Sequence, residues 1–374
     1  VMELRLEGYD CNVLLTRLAR QKSARIGEAR RSMLRRGSAN PTAVCLAMVL
    51  LCLRPATGAV VGQAAPVSEE GEVLQFCNTT APPLLASTSS KQDLIGPLLH
   101  VAISTSIVGY HSFGWADSGR PTLLLIHGFG QSLDMWDVRL LEPLAREQRV
   151  IIFDTRGVGA TEDLNISSPL TIQSMAEDTV EFIQALQLPL PPNLMGVSMG
   201  GFIAIAVAAL HGDAIHRAIP ISASAGSLGS EPPTDKGLSI VAQPERRPLD
   251  MLSLFYPLNT TRGAKAACDS AFQSLYMLAE ATITEAYGRQ ALAILHYFNV
   301  ETAVWDALPL VRNPVLLIAG QYDILVPAQS SRAMAARLPA PWLVVIPEAG
   351  HGVASQCRDT VLDLVDAFLG SPDL

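Results

Sequence analysis

The sequence predicts an α/β fold: one mostly parallel sheet of the eight-stranded type, covered by helices on both faces, with a helical cap insertion. Three observations carry this reading. Short apolar runs alternate along the chain with segments of helical periodicity, the pattern of a buried parallel sheet. A Gly-x-Ser-x-Gly segment, Gly196-Val197-Ser198-Met199-Gly200, falls between one such run and the helical segment after it. The alternation stops between Gly226 and Leu308 and then resumes.

The apolar runs, in order, are Thr122 to Ile126, Val150 to Phe153, Asn193 to Val197, Ala218 to Ile221, Val315 to Ala319 and Leu343 to Ile346. Ahead of them, the apolar spacing from Leu98 to Phe113 suggests two edge strands, and Asp117-Ser118-Gly119-Arg120-Pro121 marks a turn. Helical patterns lie between the runs. From Thr171 to Leu186, residues Ile172, Met175, Ala176, Thr179, Ile183 and Leu186 share one face, and Gly201 to Leu210 is an Ala/Ile-rich helix. In the interruption, Gly226 to Pro248 is polar with Pro and Gly, and the chain turns helical from Met251 onward. This divides the chain into a core of residues 93–226 and 309–374 and a helical cap over 227–308.

The Gly-x-Ser-x-Gly segment has a physical rationale as a strand-to-helix turn. So tight a turn holds the serine in a strained conformation, and the flanking glycines remove Cβ atoms that would clash. The hydroxyl is thereby lifted to the top of the sheet. Two partners follow in sequence. Asp323 lies just past the run ending at Ala319, in Gly320-Gln321-Tyr322-Asp323, and His351 follows the run ending at Ile346, in Glu348-Ala349-Gly350-His351-Gly352. In a parallel sheet, residues at the carboxyl ends of strands meet at one edge. A neutral imidazole there can take the serine proton and return it, while a carboxylate on its other nitrogen fixes the tautomer. Asp154 also ends a run and competes for the acid's role; position favours Asp323. No acidic residue follows the run ending at Ile221.

With His127-Gly128-Phe129-Gly130 and Asp154 to Thr161, these pieces give the ordered set HGFG, DTRGVGAT, GVSMGG, GQYDILVP and EAGHG. Over roughly residues 98–370 the chain resembles the α/β-hydrolase superfamily, with its nearest likeness to small-molecule esterases and lactonases such as 3-oxoadipate enol-lactonase and the cofactor-free haloperoxidases. The resemblance implies Ser198 as nucleophile, His351 as general base and Asp323 as its acid partner. It implies an oxyanion hole from the backbone N–H groups of Phe129 and Met199, a structural role for Asp154, and a cap over the pocket. His127 is expected to brace its loop. Trp136, Phe255, Tyr256 and Trp305 are candidates for lining the substrate pocket, against the plainer reading of core or cap packing.

The function expected is therefore cleavage of a small-molecule carboxylic ester or lactone through an acyl-enzyme. Sparse charge on the helical part of the insertion leans towards a neutral or apolar substrate. The same three residues would also serve an acyltransferase or a perhydrolase, and a non-catalytic ligand-binding member is the rival of a different class. No metal or organic cofactor is expected: there is no CxxC or Cys/His spacing for a metal, and Gly157-Val158-Gly159 lacks the third glycine of a dinucleotide loop.

Charge and the N-terminal region bear on partners and location. Residues 1–58 hold ten Lys/Arg and four Asp/Glu, and the rest of the chain holds 17 against 31, so the net charge of −8 arises after residue 58. Nucleic-acid binding is not expected of so acidic a domain. Met33-Leu34-Arg35-Arg36, the apolar run Ala43 to Leu53 and the small residues Thr57 and Ala59 form a secretory signal peptide over 33–59, with residues 1–32 read as an artefact upstream of its start. An organellar transit peptide is the alternative, opposed by Glu3, Glu7, Asp10 and Glu28. The apolar run is too short to span a bilayer, so no stable membrane span is expected in the mature chain. Residues 60–92 read as a linker. Sequons at Asn78, Asn165 and Asn259 accord with secretion. Past the targeting segment three cysteines remain, Cys77, Cys268 and Cys357, enough for at most one disulfide. The oligomeric state is left open.

Overall fold

The computed structural model describes residues 5–6, 9–10, 76–77, 91–226, 229–241, 248–280, 285–299 and 303–372, with backbone alone at 5–6, 9–10, 241, 271–280 and 285. The signal-peptide segment, most of the 60–92 linker and the Asn78 sequon lie outside these residues.

The sheet is formed by β1 (Leu99–Ala102), β2 (Ser106–Gly114), β3 (Leu123–Ile126), β4 (Arg149–Phe153), β5 (Glu162–Asp163), β6 (Asn193–Val197), β7 (Ala218–Ile221), β8 (Leu316–Gly320) and β9 (Trp342–Ile346). Its order is β9-β8-β7-β6-β3-β4-β2-β1, with the short β5 paired to β2. All pairs from β4 to β9 are parallel, and β2 joins antiparallel to β1, β4 and β5. The parallel strands read as unbroken apolar runs because both their faces are covered. All four residues of β3 are buried, whereas the edge strand β1 leaves Leu99 exposed beside Leu98.

Alternate residues of a strand point to opposite faces, and this splits the core in two. Leu124, Ile126, Ile151 and Phe153 pack on one side with α3 (Ile172–Leu186) and α4 (Met199–Leu210). Leu123, Leu125, Val150 and Ile152 pack on the other with α2 (Val138–Glu147) and α12 (Arg358–Leu369). Each such buried side chain contributes roughly 1.5–3 kcal/mol relative to exposure. The α3 helix starts at a reciprocal cap between Thr171 and Ser174 and ends where Gln187 turns left-handed at φ 48°. The α4 helix has no polar face: every residue from Met199 to Ala208 is buried, as expected of a helix enclosed by β6, β7 and α3.

Between β7 and β8 the described chain is helical: α5 (Asp235–Val241), α6 (Pro248–Phe255), α7 (Thr261–Glu280), α8 (Glu285–Asn299) and α9 (Ala303–Ala307). Upstream, α1 (Lys91–Ile95) begins two residues inside the segment read as linker. A disulfide joins Cys77, also in that segment, to Cys268 of α7; Cys357 is a buried free thiol. After β8 come α10 (Ala328–Ala335) and, past β9, α11 (Val353–Gln356). Among the described residues no helix is long and apolar enough to cross a membrane.

Candidate active site

Because β3, β6, β8 and β9 run parallel, the loops leaving them gather at one edge of the sheet. Ser198 leaves β6 and opens α4 with φ 56° and ψ −120°, a region that a residue bearing a Cβ seldom occupies. Such a conformation costs of order 1–3 kcal/mol and persists only where the surroundings impose it. Here a Cβ at Gly196 would strike the Gly200 carbonyl, and one at Gly200 would strike the carbonyls of Ile126 and His127. Only glycine fits on either side, and the Ser198 N–H is tied to the Ile221 carbonyl at 2.9 Å. Ser222 (φ 49°) and Glu348 (φ 58°) are also left-handed, so three of the described non-glycine residues with positive φ sit at strand ends around this edge.

The imidazole of His351 links the other two groups. Its Nε2 is 3.0 Å from Ser198 Oγ, and its Nδ1 is 2.8 Å from Asp323 Oδ2. Asp323 is fully enclosed: its Oδ1 accepts the Leu325 and Val326 N–H groups at 2.9 and 2.8 Å, leaving Oδ2 for the histidine. The loops bearing these residues are laced together, with the Tyr322 N–H on the Ala349 carbonyl at 2.7 Å and the Gln321 N–H on the Ile346 carbonyl at 3.0 Å. Ser222 Oγ donates to the His351 carbonyl at 3.2 Å. The arrangement allows a proton to pass from the serine oxygen to Nε2 while a carboxylate faces the positive charge that develops on the ring.

The loop after β3 approaches the same serine. A Cβ on Gly128 would lie 3.4 Å from the Cβ of Ser198, which places the Phe129 backbone alongside it. The Met199 N–H is the first of α4, where a helix has no internal acceptor. No described acceptor takes either the Phe129 or the Met199 N–H. Two such donors near the serine hydroxyl, one at a helix N-terminus, would favour negative charge there.

The four pocket candidates separate. Phe255, at the end of α6, brings its ring to 5.9 Å from that of His351, and its carbonyl accepts the Gly352 N–H. Tyr256 is buried behind it with its hydroxyl 2.9 Å from Ser355 Oγ, and burial raises its pKa. Trp136 is 4% exposed within the core and stacks on His127 at 3.9 Å. Trp305 packs at the α4 side of the core, with the Arg337 guanidinium 4.7 Å from its ring. Of the four, the structure brings Phe255 against the histidine.

Two further ionisable groups border the site without joining it. The Asp154 carboxylate accepts the Leu133 N–H at 2.6 Å and the Ala160 N–H at 2.7 Å, so it ties the loop after β4 to the loop after β3. Burial pushes its pKa up to about 7 in spite of those two donors. His127 hydrogen-bonds Gln131 Oε1 through Nδ1 at 3.0 Å, and burial holds its pKa down to about 3, so the ring is neutral.

The residues that sequence reasoning missed come from α8. Tyr287 lays its ring 4.3 Å from that of Phe129, and Gln290 accepts the Gly130 N–H at 2.9 Å. The signal for Gln290 was slight: one polar residue three positions after an aromatic one in a helical run, with partners more than a hundred residues away. Among the described residues no group of three or more His, Cys, Asp and Glu is placed to hold a metal ion.

The comparisons with known proteins agree with this architecture. A provisionally named carbamate hydrolase, RutD, from Caulobacter sp. (strain K31) is 26% identical over 254 residues, covering 65% of this chain and 88% of that protein. Protein phosphatase methylesterase 1 of Mus musculus is 41% identical over 95 residues, 25% of this chain and 24% of that protein. The crystal structure of the enol-lactonase from Burkholderia xenovorans LB400 superposes with a TM-score of 0.60 at 20% identity, over 73% of this chain and 100% of that one. The profile of the alpha/beta hydrolase family matches residues 123–364, and the chain belongs to that family.

Proposed function

We propose that this protein is a serine hydrolase that cleaves a small-molecule carboxylic ester or lactone. The observation that carries the reading is the hydrogen-bonded series Ser198 Oγ, His351 Nε2, His351 Nδ1 and Asp323 Oδ2, at 3.0 and 2.8 Å. Ser198 Oγ attacks the carbonyl carbon as its proton passes to Nε2. The carbonyl oxygen becomes an oxyanion facing the Phe129 and Met199 N–H groups. Collapse breaks the bond to the leaving oxygen, which takes the proton from Nε2, and an acyl-enzyme remains. Water then attacks that ester, giving its proton to Nε2, and the carboxylic acid departs as Ser198 is reprotonated.

The half-buried Phe255 beside His351 supports a neutral or apolar acyl group. A second reading takes a carbamate as substrate, favoured by the likeness to the proteins named as carbamate hydrolases. Parallel kinetics with p-nitrophenyl acetate, a small lactone and a phenyl carbamate decide between the two. The ester reading expects the carbamate to acylate Ser198 and turn over slowly; faster carbamate turnover would displace it.

We also infer a secretory location. The Cys77–Cys268 disulfide and the exposure of Asn165 and Asn259 support it, since such bonds persist in oxidising compartments. A mobility shift on deglycosylating the protein expressed in eukaryotic cells behind its own N-terminal region, lost when Asn78, Asn165 and Asn259 are all changed to Gln, tests this; no shift would count against it.

A further inference from the structure

We propose that Gln290, on α8 of the helical insertion, is the positioning residue of the loop that carries the Phe129 N–H; its kinetic consequence rests on the serine-hydrolase reading above. The loop His127–Gly130 is short and bends through Gly130 at φ 68°. The Gln131 N–H returns to the Gly128 carbonyl at 3.3 Å, a long bond for a turn meant to hold a donor in place. A backbone N–H stabilises an oxyanion only if its peptide plane is fixed before the charge appears. Something outside the loop has to fix it.

Gln290 is fully buried and uses both ends of its amide there. Oε1 accepts the Gly130 N–H at 2.9 Å, and Nε2 donates to Thr155 Oγ1 at 3.0 Å. One planar group thus spans the loop after β3 and the loop after β4. Reversing the amide would set its NH2 against the Gly130 N–H and remove that donor's acceptor, so the side chain has one register. That N–H would then be buried and unsatisfied, so Gln290 holds the Phe129–Gly130 peptide to this orientation and, through the Phe129 Cα, limits how far the adjoining Gly128–Phe129 peptide, which carries the Phe129 N–H, can turn.

The helix that presents Gln290 is itself anchored. One turn earlier, the Tyr287 ring covers the loop so closely that a Cβ on Gly130 would lie 2.7 Å from its Cε2. Arg289 pairs with Asp163 of β5 and donates to the Ser168 carbonyl at 2.6 Å. Ala286 packs 3.3 Å from where a Cβ of Gly157 would stand. Residues 286–290 therefore dock on the loops after β3, β4 and β5 together, and the insertion sets the oxyanion loop as well as roofing it.

The test compares wild type with Gln290→Leu, which removes both hydrogen bonds, and Thr155→Val, which removes only the Nε2 contact. Kinetics use p-nitrophenyl butyrate, with a trifluoromethyl ketone as mimic of the tetrahedral adduct. Hydrogen exchange is followed by mass over the peptide spanning 127–132. Gln290→Leu should lower kcat by about 10–100-fold with KM within about twofold, and weaken the ketone by a similar factor, since a displaced donor costs less than the 100–1,000-fold of a deleted one. Exchange of the loop peptide should rise while the rest of the sheet is unchanged. Thr155→Val should show a smaller effect of the same kind, and it decides the matter if the leucine variant fails to fold. A rise in KM at constant kcat, or an unchanged loop exchange rate, would overturn the proposal. Should wild type hydrolyse no ester and form no Ser198 adduct, the serine-hydrolase reading fails, and the exchange measurement alone decides what Gln290 does.

Discussion

The Phe255 ring stands 5.9 Å from the ring of His351, and its carbonyl takes the Gly352 N–H at 2.9 Å. One residue of the insertion thus touches both the imidazole and the backbone that presents it. Trp305, another aromatic of the insertion, instead lies beneath Arg337 on the core.

This separates two aromatics that look alike in sequence. Phe255→Ala should shift the ratio of kcat/KM between acetyl and octanoyl esters by about tenfold or more, the scale of a pocket altered by one or two methylenes. Trp305→Ala should leave the ratio unchanged and destabilise by about 3 kcal/mol as a packing loss. A chain-length series beside thermal melts checks both. A uniform loss in Phe255→Ala that follows its melting temperature would assign that residue to packing as well.

Asp323 and Asp154 both end strands, but only Asp323 faces the imidazole. Asp323→Asn should lower kcat by about 10,000-fold by favouring the wrong histidine tautomer, with the fold retained. Steady-state kinetics on that variant and on Asp154→Asn give the comparison. A kinetic defect confined to Asp154→Asn would reverse the assignment.

Asp154 should instead appear in the pH dependence of stability. Burial lifts its pKa from 3.8 to about 7. Between those values the native chain keeps a proton that the unfolded chain gives up. Its contribution is therefore full below about pH 4, declines as pH rises towards 7 and is level beyond, a loss of up to about 4 kcal/mol. Asp154→Asn has no such titration, so its deficit relative to wild type should narrow between pH 4.5 and 7.5 in urea melts. A constant deficit would mean that the carboxylate is ionised throughout. His127 acts in the opposite sense: the native ring stays neutral, so its contribution is lost as pH falls from 6.5 towards about 3.

The disulfide spans 191 residues of sequence and ties Cys77 to α7. Reduction should cost about 2–5 kcal/mol, since it frees a long loop in the unfolded chain. Melts with and without dithiothreitol measure this, and the effect of reductant should vanish in Cys268→Ser. Equal sensitivity in that variant would place the labile bond elsewhere.

The sheet was legible because period and run length are local properties. Every expected strand appears within a residue or so of its run, and the α3 face adds Phe182, which falls on the same stripe. The meeting of residues 198, 323 and 351 at one edge was also legible, since parallel strands put their carboxyl ends on one side. Packing direction was not. Trp136 and Phe255 are both aromatic residues near helix ends, and only the folded chain shows that one stacks beneath His127 while the other faces His351. The Cys77–Cys268 pairing was open among three cysteines, and the Gln290 bridge joins residues 135 and 160 positions apart, beyond any periodic signal.

The central claim is that Ser198 is the nucleophile, and covalent capture tests it most directly. Wild-type protein treated with a fluorophosphonate and digested should carry the adduct on the peptide containing Ser198, with Ser198→Ala unlabelled and its ester kcat reduced to under a tenth of wild type. Labelling that persists in Ser198→Ala, or hydrolysis that survives there at wild-type kcat, would contradict the account.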